Sequence, residues 1–293
     1  MINHSIQREA VSQSTNAPAA GQQSLVKPLL IASVILYLGL VLFIPAANVF
    51  VQAFRGGVDL FLHTFSEGAF LNALRLTILM AVISVPLNTV FGLCAAWAIA
   101  RNKRFPGRAL LISMIDLPFS VSPVVAGLMI VLLYGRNGWL GPFLQANDIK
   151  IIFAVPGMVL ATLFVSLPFV AREVLPVLEE IGTEQEEAAK TLGASEWQTF
   201  WRVTLPSIRW GLLYGVLLTN ARAMGEFGAV AVVSGSIAGK TQTLPLFVEE
   251  AYKQYNTEAA YSAAVLLAGL AIVTMVAKAI LESGTGLKTR AGH

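Results

Sequence analysis

The chain has 293 residues, 56% of them apolar and only 13% charged, with a mean hydropathy of +0.69. A soluble domain carries about 25% charged residues, and here the apolar residues lie in runs long enough for the roughly 20 residues of a bilayer-spanning helix. A soluble globular domain is therefore excluded, and the net charge of +3 is explained by basic loops on one side of a membrane rather than by nucleic acid.

Residues 1–24 are rich in Ser, Gln, Asn and Ala, hold no apolar run and read as a disordered tail. A membrane domain is expected over 25–282 and a short tail over 283–293. Six apolar segments follow, at 29–54, 71–100, 109–134, 151–170, 210–233 and 259–281. The first is too long for a signal-peptide core of about 7–15 residues and is expected to remain as an uncleaved helix. With the N-terminus inside, the inner segments hold twelve Lys and Arg and the outer ones five, which puts both termini in the cytoplasm. The cluster "RNKRFPGR" at 101–108 is the strongest anchor.

In the second segment, Arg75 near the outer end is expected to snorkel to the headgroups. The single cysteine, Cys94, cannot form an intrachain disulfide, and His4, His63 and His293 are scattered, so no metal site is expected. The third segment contains "DLPFSVSPVVAG". Pro118 and Pro123 should break or kink the helix. Ser120 and Ser122 are placed to satisfy freed backbone groups. A break of this kind exposes N–H groups that suit an anion, so Asp116, Ser120 and Ser122 are translocation-path candidates; a plain kink capped by serines is the competing reading.

Between the fourth and fifth segments, 171–209 is polar and cytoplasmic. Thr183 reads as a helix N-cap with Glu186 as its capping-box partner, and Ser195 with Gln198 as a second box. Gly193 ends the first short helix in left-handed geometry. Trp197, Phe200 and Trp201 share a face, and Pro206 marks a break before the fifth span. By composition alone this is a linker lying on the protein's own membrane base. The fifth segment reads "LLTNARAMGEFGAVAVV". Arg222 and Glu226 fall one turn apart near Asn220, while Gly225 and Gly228 permit close packing or unwinding. An ionisable pair inside a membrane is a functional hypothesis, here a gate or anion path; a self-satisfied intrahelical ion pair is equally compatible. Residues 234–258 read as an outer loop, with a possible re-entrant turn at "TLPL".

The spacing of the insert is specific. Glu187-Ala188-Ala189, three residues, Gly193, nine residues, Val203, one residue, Leu205-Pro206 resembles the EAA motif of importer-type ABC permeases, with valine in place of isoleucine. Together, "DLPFSVSPVVAGL", "LTNARAMGEFGAVAVVSGSI" and "TLPLFVEEAYKQYNTEAA" resemble the sulfate/thiosulfate permease family of ABC importers, its W-type membrane subunits above all, over about 30–282. The resemblance implies an all-α membrane protein of six transmembrane helices in the type I importer permease fold, resident in a bacterial inner membrane. It implies a coupling role for Glu187, Ala188, Ala189, Gly193, Leu205 and Pro206, with the 183–206 loop docking on an ABC ATPase dimer. It further implies a T-type permease partner and a periplasmic sulfate/thiosulfate-binding protein. ATP and Mg would lie on the ATPase, because this chain has no Walker A pattern and needs no cofactor of its own. No catalytic role is expected, since no membrane His, HExxH or GxSxG is present. A molybdate, tungstate or phosphate importer and a proton-coupled transporter working through Arg222 and Glu226 are the alternatives.

Overall fold

The computed structural model describes residues 20–102 and 104–284, and every regular element among them is a helix. In chain order these are α1 (Ala20–Leu38), α2 (Ile44–Ala53), α3 (Val58–Thr64), α4 (Gly68–Arg101), α5 (Arg108–Ser120), α6 (Pro123–Tyr134) and α7 (Gly141–Ala146). They continue as α8 (Val155–Ile181), α9 (Glu184–Thr191), α10 (Glu196–Thr199), α11 (Leu205–Met224), α12 (Gly228–Ser234), α13 (Leu244–Lys253) and α14 (Thr257–Gly284). The chain divides into two compact units, residues 1–48 and 49–293. The described part of the first is one run of helix, in which a π segment, Gly39–Phe43, links α1 to α2. That helix starts at Ala20, inside the stretch read as tail; residues 1–19 and 285–293 lie outside the described residues.

Four helices are long and apolar enough to cross a membrane: Lys27–Ala53, α4, α8 and α14. Two bent pairs, α5 with α6 (112°) and the Glu196–Met224 run with α12 (49°), raise the number among the described residues to six where each pair counts as one span, in the order the apolar segments predict.

In the second unit, α8 packs on α4, α11, α5, α6 and α12. Gly92 allows a close approach of α4 to α8, because a Cβ there would stand 2.8 Å from the Val170 Cβ. The amide of Asn88 adds a polar tie, donating to Ser166 Oγ at 2.8 Å and to the Leu163 carbonyl at 3.2 Å. Around these contacts, Ala96, Ala100, Val170, Val174, Leu178 and Ile208 form one apolar cluster.

The sequence reading needs three corrections here. The fourth span does not stop at 170 but runs on to Ile181, through Pro168 and Pro176. Helices α4, α5, α6, α11 and α12 pack along α8, and such surroundings let a membrane helix run through proline. Pro206 is likewise no break. It sits in the first turn of α11, where its missing N–H costs little, and α11 continues out of α10 through a π segment, Phe200–Thr204. Finally, the outer "TLPL" stretch is no loop: it opens α13, whose Leu244, Leu246 and Phe247 are buried and whose first N–H, on Leu244, is bound by Thr77 Oγ1 at 2.8 Å.

The coupling insert and the paired helix breaks

The insert is built from α9 and α10 at the end of the bundle where α4 and α8 finish. In "EQEEAAKT" the two central glutamates part company. Glu187 is exposed and accepts a hydrogen bond from the Thr183 hydroxyl at 2.7 Å. Glu186 turns inward. Arg101 Nε and Nη2 grip its two oxygens at 2.9 and 2.8 Å, Thr204 Oγ1 donates to Oε1 at 2.7 Å, and Arg101 Nη1 reaches the Leu178 carbonyl at 3.1 Å. The Thr183–Glu186 capping box is therefore absent, because a bidentate guanidinium contact holds Glu186 more strongly than a backbone N–H would. Arg101 thus ties the end of α4 to α8 and to α9, and Glu186 carries the tie on through Thr204 to the π segment before α11.

The turn between α9 and α10 is as its residues require. Gly193 has φ +87°. Its N–H bonds the Lys190 carbonyl and that of Ala194 bonds Ala189, each at 3.0 Å, the paired bonds of a Schellman ending. Ser195 and Gln198 form the reciprocal capping box. A Lys190–Glu196 pair at 2.8 Å clasps the two helices. That hydrogen bond, with the charge behind it, raises the Lys190 pKa and lowers that of Glu196. The Glu196 contribution is present above the ordinary carboxylate range and lost as pH falls through its lowered pKa. The Lys190 contribution is present below the ordinary lysine value and lost as pH rises through the raised one. The clasp is closed across neutral pH, though as an exposed pair it adds little.

Glu187 and Ala188 are exposed, Ala189 half-buried, and Leu192 is 89% exposed. Trp197, Phe200 and Trp201 contact one another with ring centroids 5.5–6.2 Å apart, and Trp197 stays 69% exposed. Of the remaining motif residues, Leu205 is half-buried and Pro206 exposed.

The path candidates fall into two pairs rather than one site. Asp116 on α5 accepts from Arg172 Nε on α8 at 2.7 Å, and Arg172 also lies over the Phe119 ring. The sequence reading gives Arg172 no role beyond being one of the twelve inner basic residues. Arg222 and Glu226 are 2.5 Å apart, but α11 ends at Met224, so the pair straddles the break instead of lying on one helix. Glu226 is 3% exposed, and its Oε1 accepts from the Ala229 N–H at 2.8 Å, capping α12. Asn220 donates to the Met224 sulfur at 3.6 Å.

Ser120 and Ser122 are exposed, and neither hydroxyl makes a hydrogen bond among the described residues. They are not internal caps, because the backbone supplies the bonds: Val121 N to Leu117 O, and Ala126 N to Ser122 O. The two breaks are packed together. A Cβ on Gly127 would stand 2.6 Å from the Ala229 carbonyl oxygen, and one on Gly228 3.0 Å from Pro123 Cβ. Of the expected glycines, Gly228 makes the interhelix contact and Gly225 meets only its own helix. Among the described residues no group of His, Cys, Asp and Glu is placed to hold a metal.

Six spans, two of them broken against each other, and a polar insert stitched to their ends define the class: a permease of the importer type. Residues 88–286 match the family of binding-protein-dependent transport system inner membrane components. The chain is 69% identical, over 92% of its length and 93% of the relative's, to the sulfate transport system permease protein CysW of Synechococcus elongatus. It is 37% identical to the sulfate transport system permease protein CysT of Escherichia coli, over 88% of this chain and 93% of that one. A chain of a bacterial alginate ABC transporter, solved with its alginate pentasaccharide-bound periplasmic protein, shares the fold with a TM-score of 0.73 over 93% of this chain and 98% of its own, at 17% identity. The chain belongs to the binding-protein-dependent transport system inner membrane component family.

Proposed function

We propose that this chain is a membrane permease subunit of an ATP-driven sulfate/thiosulfate importer, providing half of the anion path and the attachment for a separate ATPase dimer. The observation that carries the reading is the insert. It is ordered by contacts within this chain, clamped by Arg101, and continuous with the helix that ends at the Arg222–Glu226 break. A force applied to α9 thus has a direct route to the membrane helices. Similarity to sulfate permeases over almost the whole chain supports the substrate, and similarity to a T-type permease supports a paired homologous subunit. A periplasmic binding protein would deliver the anion. On this reading both termini are cytoplasmic, and ATP and Mg belong to the ATPase.

Glu187, Ala188, Ala189 and Gly193 present the docking surface. Leu205 and Pro206 start the helix behind it. Asp116, Ser120, Ser122, Asn220, Arg222 and Glu226 are proposed to border the path or to hold its breaks in shape. Glu226 is already occupied by Arg222 and the Ala229 N–H, which weighs against a proton relay. Coupling between sites is typically worth roughly 5–150-fold. Glu187→Lys and Gly193→Asp are therefore expected to cut uptake of labelled sulfate by reconstituted complex by roughly tenfold or more, with the protein still in the membrane. Normal uptake in both would overturn the docking role, and transport of molybdate but not sulfate by the wild type would overturn the substrate.

A further inference from the structure

At the end of the bundle away from the insert, a cavity of about 200 Å³ lies between the start of α4 and the segment joining α12 to α13. A water needs only about 10–15 Å³ of such space, so a tetrahedral anion fits with water around it. The α4 wall is Asn72, Arg75, Leu76 and Leu79, whose spacing makes a single helix stripe. The opposite wall is Gly239, Lys240 and Gln242. Its charged lining is Arg75 and Lys240, and neither makes a hydrogen bond or ion pair among the described residues. Arg75 thus faces a basic cavity rather than serving only as a headgroup anchor.

Gln242 is the second, independent observation. It is 4% exposed, its amide makes no hydrogen bond among the described residues, and it lines this cavity. Gln242 also borders a second cavity of about 220 Å³, but that one contains Glu67 and Glu250, which repel an anion. A third, of about 490 Å³, holds Arg136 and Lys150, yet its amide, Gln145, is already bonded to the Arg136 carbonyl.

We propose that Arg75, Lys240, Gln242 and Asn72 form a receiving site for a tetrahedral oxyanion at the outer face, reached before the helix breaks. Two cations and two side-chain amides offer N–H donors to several oxygens at once, which a tetrahedral anion can accept. The site rests on the reading of this chain as an oxyanion permease and adds where the anion is first held.

The test uses the full transporter with its binding protein in proteoliposomes, and the detergent-solubilised complex alone for equilibrium binding of radiolabelled sulfate and molybdate. Arg75→Gln with Lys240→Gln, and separately Gln242→Leu, should weaken anion binding and lower uptake by roughly tenfold, as expected for lost charge-assisted contacts, with the amount of assembled complex unchanged. Arg75→Lys should keep most of the binding, and Arg136→Gln with Lys150→Gln should change neither readout. Wild-type binding and uptake in the first two variants would overturn the site. Equal losses in the Arg136/Lys150 control would also overturn it, in favour of general attraction by outer-face charge. If the wild type binds or moves molybdate rather than sulfate, the sulfate reading fails, and the same variants read with molybdate decide the site. If it moves neither, the binding measurement still decides it.

Discussion

Glu186 and Glu187 are chemically identical neighbours with opposite surroundings. Glu187 faces solvent, whereas Glu186 accepts three hydrogen bonds from Arg101 and Thr204. Hydrogen bonds to charged groups are worth about 1.5–3 kcal/mol each, so Glu186→Ala should lower the thermal unfolding temperature of the purified protein and expose the insert to protease. Glu187→Ala should leave both unchanged. Equal behaviour of the two variants would remove Arg101 as the clamp. What the sequence revealed at this scale was local: Gly193 and the Ser195–Gln198 box lie within a few residues of their partners, and both formed as read. Arg101 stands 85 positions from Glu186, and no short-range rule links them. A capping-box pattern was the only signal available there, and it assigned the wrong partner.

Helices show the same division between local rule and surroundings. Pro118 and Pro123 flank a true break, whereas Pro86, Pro168, Pro176 and Pro206 are carried inside helices or in a first turn. The third span gives way where the backbone passes through extended Val121 and Ser122 at the surface of the chain. The fourth is supported by neighbours on several sides. Gly127 sets the meeting of α6 and α12. Gly127→Val places atoms against the Ala229 carbonyl and should destabilise by about 1–3 kcal/mol or more, read as lost folded protein in detergent. As a control, Gly269→Ala on α14 meets nothing within 4 Å, and alanine there should be neutral or gain up to about 1 kcal/mol. If the two glycines respond alike, the close crossing is not what holds the breaks together.

For the molecule as a whole, hydropathy revealed all six spans in order, because lipid imposes a length on every crossing. It misplaced the end of α8 and the start of the Glu196–Met224 run, because both helices continue past the apolar stretch into polar sequence that only tertiary contacts keep helical. The candidate path was legible residue by residue but not as pairs: Asp116 meets Arg172, and Arg222 meets Glu226, through choices of partner that spacing cannot reveal. The orientation expected from loop charge is testable on a Cys94→Ser background. Asn147→Cys should react with a membrane-impermeant maleimide from outside intact cells, and Glu184→Cys only after permeabilisation. The reverse pattern would invert the topology.

The run from Glu196 to Met224 is unbroken, and within it Phe200–Thr204 is wound as a π turn. A π turn holds one residue more than an α turn needs. Each residue of α-helix rotates the chain by about 100°, and the π turn takes up its extra residue without passing that rotation on to the bend at 225–227. Removing a single residue from α11 instead would leave the contacts of the insert intact and still turn Trp197 by about 100° relative to the bend. The insert is matched to the break as a key is cut to a lock, by rotation about a common axis as much as by the length of the shaft.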